Sequence, residues 1–314
     1  MSLSFRLPTS PPAGVVLEDE KVIYEWKIRK IWQCGDNIVK RRTAHPGNYE
    51  VASQNFVERY CPSIPIPHVI DEWENAEREH HFTLMTAIRG VSLSRAWANF
   101  SQDQKQQVAA DVARHMRTLR QFTSDRMQSV SDKNLGNNCF VPGSDYARRT
   151  RLWKTDDDIF DAAFLPVLEY QGISDERITQ IRYCMPPCVG QFALYHGDLY
   201  HGNIMVDPHH GTLTGIIDWE FTGYYPLWFH YARLNWTVGA DDKEWKRMLA
   251  LAMRDEIPHA THGLVWWHAI KKLTKHPKSK KPRDWLDLLS DHIGGYPLVV
   301  PLEEYESYRS SDYV

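Results

Sequence analysis

One block constrains this chain more than any other. It runs Leu194-Tyr-His196-Gly-Asp198-Leu-Tyr200-His-Gly-Asn203-Ile-Met-Val, and is followed by Gly215-Ile-Ile-Asp218-Trp-Glu220, with Asp218 fifteen residues after Asn203. Residues 192–196 are strand-like, and 204–207 and 213–218 read as two short strands joined by the turn Pro208-His-His-Gly211. The predicted pattern is a strand, a polar loop and a hairpin, with an Asp ending a hydrophobic strand. Polar side chains at such strand–loop junctions are those a rigid sheet can aim into a cleft. Phosphoryl transfer asks for a group near the acceptor hydroxyl and for oxygen ligands to a metal that bridges the phosphates. Mg²⁺ is a hard ion that prefers carboxylate and amide oxygen, and Asp198, Asn203 and Asp218 supply those atoms.

The rest of the chain falls around this block. Residues 1–14 are rich in Pro and Ser and read as a flexible lead-in. Residues 15–43 read as strands, β-branched and aromatic over 22–32, with Cys34-Gly-Asp-Asn as a tight turn and Lys40 ending the strand that follows. A short helix begins near Pro46; Val51, Ala52, Phe56, Val57 and Tyr60 recur at helical spacing on it. Pro62, Pro65 and Pro67 stop it, and 68–73 and 81–85 read as further strands. Residues 87–90 are the expected hinge. Ser101 and Gln104 form a capping box, and the helix beyond carries Val108, Val112, Met116, Leu119 and Phe122 on one stripe. Residues 129–143 read as loop, 156–170 as one helix, and 225–314 as helices rich in Trp and Leu with a break at 276–283.

The His-x-Asp-x-x-x-x-Asn pattern followed by Ile-Ile-Asp-Trp-Glu resembles the aminoglycoside phosphotransferase and choline kinase group of small-molecule kinases. The resemblance runs in order from about residue 20 to 235. It implies an α+β, two-lobed protein-kinase-like fold: a small antiparallel-sheet N-lobe over 15–88 that binds nucleotide, and a larger, mainly helical C-lobe over 89–314. It further implies ATP and Mg²⁺ as cofactors. Asp198 would be the catalytic base, His196 a brace for the catalytic loop, and Asn203 and Asp218 the metal ligands. Lys40 would grip the phosphates with Glu50 as its ion-pair partner, and Met85 and Ala87 would lie at the hinge beside the adenine. Tyr200, two residues after Asp198, and Glu220 are expected at the acceptor site. The pattern departs from protein kinases in having no Gly-rich loop before Lys40, Gly197 where many place Arg, and no Ala-Pro-Glu after Asp218.

Bulk properties remove other classes. A formal charge of -3 gives no basic field for nucleic acid, and no run approaches a membrane span. Met1 to Pro8 has no apolar run of signal-peptide type, and the five cysteines form no disulfide framework, so the cytosol is the expected compartment. Cys184 and Cys188 lack a second pair for a zinc site. The Asp156–Asp158 run is expected as a solvated cap and the His80-His81 and His209-His210 pairs as surface residues. The expected activity is ATP-dependent phosphorylation of a small-molecule hydroxyl. The alternatives are a nucleotide-binding pseudokinase acting through partners, a kinase-like scaffold serving another ATP-driven reaction, and a metallohydrolase built on His196, Asp198, His201 and Asp207. The acceptor and the oligomeric state are not legible in the sequence.

Overall fold

The computed structural model describes residues 7–275 except 18–19, 27–28, 44–48, 134, 136–152, 189–191 and 258. Three antiparallel strands come first: β1 (Lys21–Trp26), β2 (Arg29–Cys34) and β3 (Asn37–Thr43). Gly35 takes φ 60° in the two-residue turn between β2 and β3, a conformation that glycine adopts without strain. Helix α1 (Glu50–Tyr60) follows, then β4 (Val69–Glu74) and β5 (His80–Thr86). The five strands form one sheet in the order β1-β2-β3-β5-β4, so Lys40 lies inside a central strand rather than at its end. The order of elements is the expected one. One face of the sheet buries Trp32, Val39, Trp73 and Leu84, with the Trp73 and Phe82 rings stacked at 5.2 Å and Val15 and Leu17 packed against them.

Helix α1 corrects an expectation. Of the apolar residues at helical spacing only Val57 is fully buried, beside the polar Glu50, Ser53 and Gln54, while Tyr60 is exposed. A polar buried face is costly unless it meets polar partners. Here Glu50 meets basic groups of β3, and Gln54 Nε2 reaches Met85 Sδ at 3.8 Å.

After Thr86 the chain crosses through β6 (Val91–Ser92) and the short helix α2 (Leu93–Ala96) into α3 (Gln102–Leu119). The Ser101–Gln104 capping box is present, and Val108, Val112, Met116 and Leu119 are buried. Strand β7 (Thr123–Ser124) comes next; the loop expected at 129–143 lies largely outside the described residues. The single helix expected over 156–170 is two, α4 (Asp156–Ala163) and α5 (Leu165–Tyr170), because Pro166 cannot continue the first. Helix α6 (Asp175–Tyr183) was not anticipated; it buries little beyond Ile178 and Ile181.

Strands β8 (Phe192–Tyr195), β9 (Ile204–Val206), β10 (Leu213–Ile216) and β11 (Gly223–Pro226) then frame the polar block. Residues 225–226 were expected to be helical, but they pair antiparallel with β8, so all four residues of that β11 strand are buried beside it. Helices α7 (Leu227–Ala232), α8 (Gly239–Met253) and α9 (Ala260–Lys275) complete the helical part. One continuous core joins these helices to α3, β8, Val57 of α1 and Cys61 just after it, and includes Trp97, Trp219, Trp228, Trp245, Trp266 and Trp267. No helix of the described residues is long and apolar enough to cross a membrane.

Candidate functional site

The hairpin of β9 and β10 explains why residues fifteen apart in sequence meet. Ile204 pairs with Ile216, and the next rung is the Ile217 amide donating to the Asn203 carbonyl at 2.9 Å. Asn203 and Asp218 therefore leave the hairpin side by side. Asp218 itself holds φ 66°, ψ 59°, a left-handed conformation uncommon outside glycine and typical of backbone strained at a working site. Asn203 Nδ2 donates to the Asp198 carbonyl at 3.0 Å and to Asp198 Oδ2 at 3.1 Å. Asp198, Asn203 and Asp218 thus share one region.

Across from them stands the sheet. Lys40 is 6% exposed and Glu50 2%, and Lys40 Nζ lies 2.7 Å from Glu50 Oε1 and 2.8 Å from Asp218 Oδ1. Two arginines absent from the sequence reading join them. Arg42 Nη2 lies 2.8 Å from Glu50 Oε2 and 2.9 Å from Asp218 Oδ1, and its Nη1 pairs with Glu220. Arg29 Nη1 lies 3.2 Å from Asp218 Oδ2, and its Nη2 lies 2.5 Å from Glu220 Oε1. Burial alone would raise the Asp218 carboxyl, but Lys40, Arg42 and Arg29 outweigh it and hold the group well below the usual carboxylate range. Glu220, expected at the acceptor site, instead faces the arginines of the sheet.

His196 is fully buried. Its Nδ1 accepts from the Asp198 amide at 3.2 Å, which leaves Nε2 to donate to the Ile217 carbonyl at 3.0 Å. The ring thereby ties the loop carrying Asp198 to the loop carrying Asp218. Gly197 holds φ 84°, and a Cβ there would stand 2.3 Å from the Phe221 carbonyl oxygen, so no arginine fits where protein kinases place one. From the helical side, Arg233 Nε donates to the Gly197 carbonyl at 3.0 Å, and its Nη2 lies 3.6 Å from Asp198 Oδ1. The buried Asp242 accepts from the His201 amide at 3.1 Å and pairs with Lys246 at 3.0 Å. Sequence reasoning missed Arg29, Arg42, Arg233 and Asp242, since no motif marks a lone charge whose partner lies far along the chain.

The other expected residues are placed as follows. The Tyr200 ring packs edge-on to His201 at 4.6 Å and closes over Gly202. Met85 is buried against Gln54. The Ala87 amide, at the expected hinge, donates to the Asp36 carbonyl at 2.9 Å. The metallohydrolase set does not assemble: His201 faces Asp242, Asp207 caps the 208–211 turn through the His209 and His210 amides, and no group of three metal-ligating His, Cys, Asp or Glu exists among the described residues.

Burial sets the acid response. It pushes His196 down from its ordinary value against the pull of Asp198 and Asp218, and with Arg120 nearby it pushes His230 down to about 3. His115 and His262 are lowered by burial as well. Below about pH 6.5 the unfolded chain protonates these rings more readily than the folded one, so stability is present above that pH and lost as pH falls. Each strongly lowered histidine contributes a slope of up to about 1.4 kcal/mol per pH unit. Urea midpoints measured from pH 7 to pH 4 should fall steadily; a flat profile would contradict the neutral, buried assignment.

The comparisons accord with this arrangement. The sequence profile of the phosphotransferase enzyme family matches residues 42–261. A curated protein of Ampulloclitocybe clavipes, clavilactone A biosynthesis cluster protein Y, is 32% identical over 87 residues, which is 22% of this chain and 21% of that protein. The chain thus spans about a fifth of the curated relative it matches. Among solved structures, the streptomycin–ATP–APH(2")-IIa ternary complex superposes with a TM-score of 0.53 at 14% identity, covering 88% of this chain and 91% of that one. The GDP complex of aminoglycoside 2'-phosphotransferase-IIIa gives 0.53 at 14% identity, covering 96% and 95%. The ADP-bound aminoglycoside phosphotransferase APH(2'')-Ib gives 0.51 at 15%, covering 88% and 92%. The fold is therefore the two-lobed, protein-kinase-like α+β fold.

Proposed function

The chain belongs to the phosphotransferase enzyme family, and from that premise we propose that it is an ATP-dependent kinase that phosphorylates a hydroxyl of a small molecule. The observation that carries the reading is the meeting of Lys40, Asp218, Asn203 and Asp198: Lys40 Nζ is 2.8 Å from Asp218 Oδ1, and Asn203 bridges to Asp198 at 3.1 Å.

In this reading Asp198 accepts the proton of the acceptor hydroxyl and orients its oxygen toward the γ-phosphorus. Arg233 and the His196 bridge hold the Asp198 loop in register. Lys40, steadied by Glu50, takes phosphate oxygens of the nucleotide. Asn203 and Asp218 suit Mg²⁺: both offer hard oxygens, and with Asn203 Nδ2 turned to Asp198 its amide oxygen remains for a cation. A Mg²⁺ held there supplies neutralisation of the phosphate charge that builds up in transfer.

One structural neighbour was solved with streptomycin, and the curated relative is named for clavilactone A biosynthesis. A small organic acceptor follows that pattern. A panel of hydroxylated small molecules, incubated with MgATP and followed by ADP release, tests it. ADP formed with one compound or class of compounds is the expected result. AMP as the nucleotide product would instead support a repurposed scaffold, and tight nucleotide binding with no turnover on any compound would support a pseudokinase.

A further inference from the structure

Three cations crowd one face of the sheet beside Asp218. Lys40 and Arg42 are two residues apart on β3 and so share a face. Strands β2 and β3 are antiparallel with Lys30 opposite Arg41, a register that sets Arg29 directly across from Arg42. Like charges placed so repel one another and demand an anion between them. Carboxylates meet part of that demand: Arg29 bridges Asp218 and Glu220, and Arg42 bridges Glu50, Asp218 and Glu220.

The arrangement is poorly explained as a stabilising device. Buried ion pairs are seldom better for stability than well-packed apolar side chains, because desolvation offsets the attraction. Arg42 is only 9% exposed, yet its Nε has no hydrogen-bond partner among the described residues. The carboxylate the two arginines hold is the one assigned to the metal, so the guanidinium groups and a cation compete for the same two oxygens. The chain also lacks the Gly-rich loop whose backbone covers phosphates in protein kinases. Trp26 of β1 pairs with Arg29 of β2, leaving only two residues between those strands.

We propose that Arg29 and Arg42 form a phosphate subsite for the nucleotide, taking the place of a Gly-rich loop. With nucleotide bound, their planar forks turn to the terminal phosphate oxygens, for which guanidinium geometry is suited, and Asp218 is released to the metal. The proposal rests on the kinase reading above.

The test is calorimetric titration of wild type, Arg29→Gln and Arg42→Gln with MgATP and, as a phosphate-free control, adenosine. Each substitution should weaken MgATP by roughly tenfold to a hundredfold, the cost of losing charge-assisted hydrogen bonds, and leave adenosine binding unchanged. Arg29→Lys should recover part of the loss, because charge returns without the fork. The Arg29 side chain is 29% exposed, so Arg29→Gln decides the matter if Arg42→Gln does not fold. A folded Arg29→Gln protein with wild-type MgATP affinity overturns the phosphate subsite and leaves the kinase reading intact. Equal losses for MgATP and adenosine overturn it too, because the arginines would then shape the cleft rather than bind phosphate. A wild-type protein that binds neither compound overturns the kinase reading itself, and the subsite with it.

Discussion

Replacing Asp198 by Asn should lower turnover by at least ~10²-fold, the usual loss on removing a general base, while the protein stays folded and still binds nucleotide. The expectation follows from where the carboxylate sits. Asp198 is half-buried on a loop fixed by the His196 bridge and by Arg233, and the side chain of Asn203 holds its Oδ2. An Asn of the same shape keeps one acceptor oxygen for Asn203 or Arg233 and leaves the loop otherwise unchanged, but cannot accept the proton of a hydroxyl. Steady-state rates with the acceptor found by the ADP screen provide the measurement, and unfolding midpoints show that the loss is chemical. An unchanged rate would remove Asp198 from the mechanism.

Replacing Asp218 by Ala should have two large effects at once. Activity should disappear with the metal ligand. Stability should also drop, by about 3–5 kcal/mol, the range seen when one partner of a buried charge set is removed. Glu50, Asp218 and Glu220 together face Lys40, Arg42 and Arg29, and the Lys40 and Arg42 side chains are 7% and 11% exposed. Removing one carboxylate leaves a buried excess of positive charge that water can scarcely reach. The second half of the prediction has an internal control: adding Arg29→Ala to Asp218→Ala should cost less than the sum of the two single changes, because the pair is coupled. Urea unfolding at constant m measures both. An Asp218→Ala protein as stable as wild type would mean that the cluster is not held together by charge balance.

The parts of the molecule legible in the sequence are those whose signal is local. The hairpin that carries Asn203 and Asp218 announces itself through a hydrophobic strand, a Pro-His-His-Gly turn and a second hydrophobic strand, and the antiparallel rung does the rest. Lys40 and Glu50 stood out because the resemblance to the small-molecule kinases implies them as an ion pair, and they meet at 2.7 Å. What stayed hidden depends on distance. Arg42, beside Arg41 on a strand, carries no local signal until the register of β2 and β3 and the approach of Asp218, 176 residues away, are known. Arg29 follows a β1–β2 turn without Gly or Asn, so neither the turn nor the reach of that arginine was visible. Helix α1 misled for a related reason: apart from Val57, its apolar stripe lies beside the buried face, because the cleft it lines is polar. Strand β11 was absorbed into a helical reading because Tyr224-Tyr225-Pro226 runs straight into α7, and only its pairing with β8 distinguishes it.

The central claim is that Lys40, Asp198, Asn203 and Asp218 surround one magnesium–nucleotide site. A crystal structure with Mg²⁺ and a non-hydrolysable ATP analogue tests it most directly. The account predicts a metal about 2.1 Å from the Asn203 amide oxygen and an Asp218 oxygen, phosphate oxygens on Lys40, and the terminal phosphate facing Asp198. A nucleotide bound elsewhere, or bound with Asp218 still locked to its arginines and no metal beside it, would contradict it.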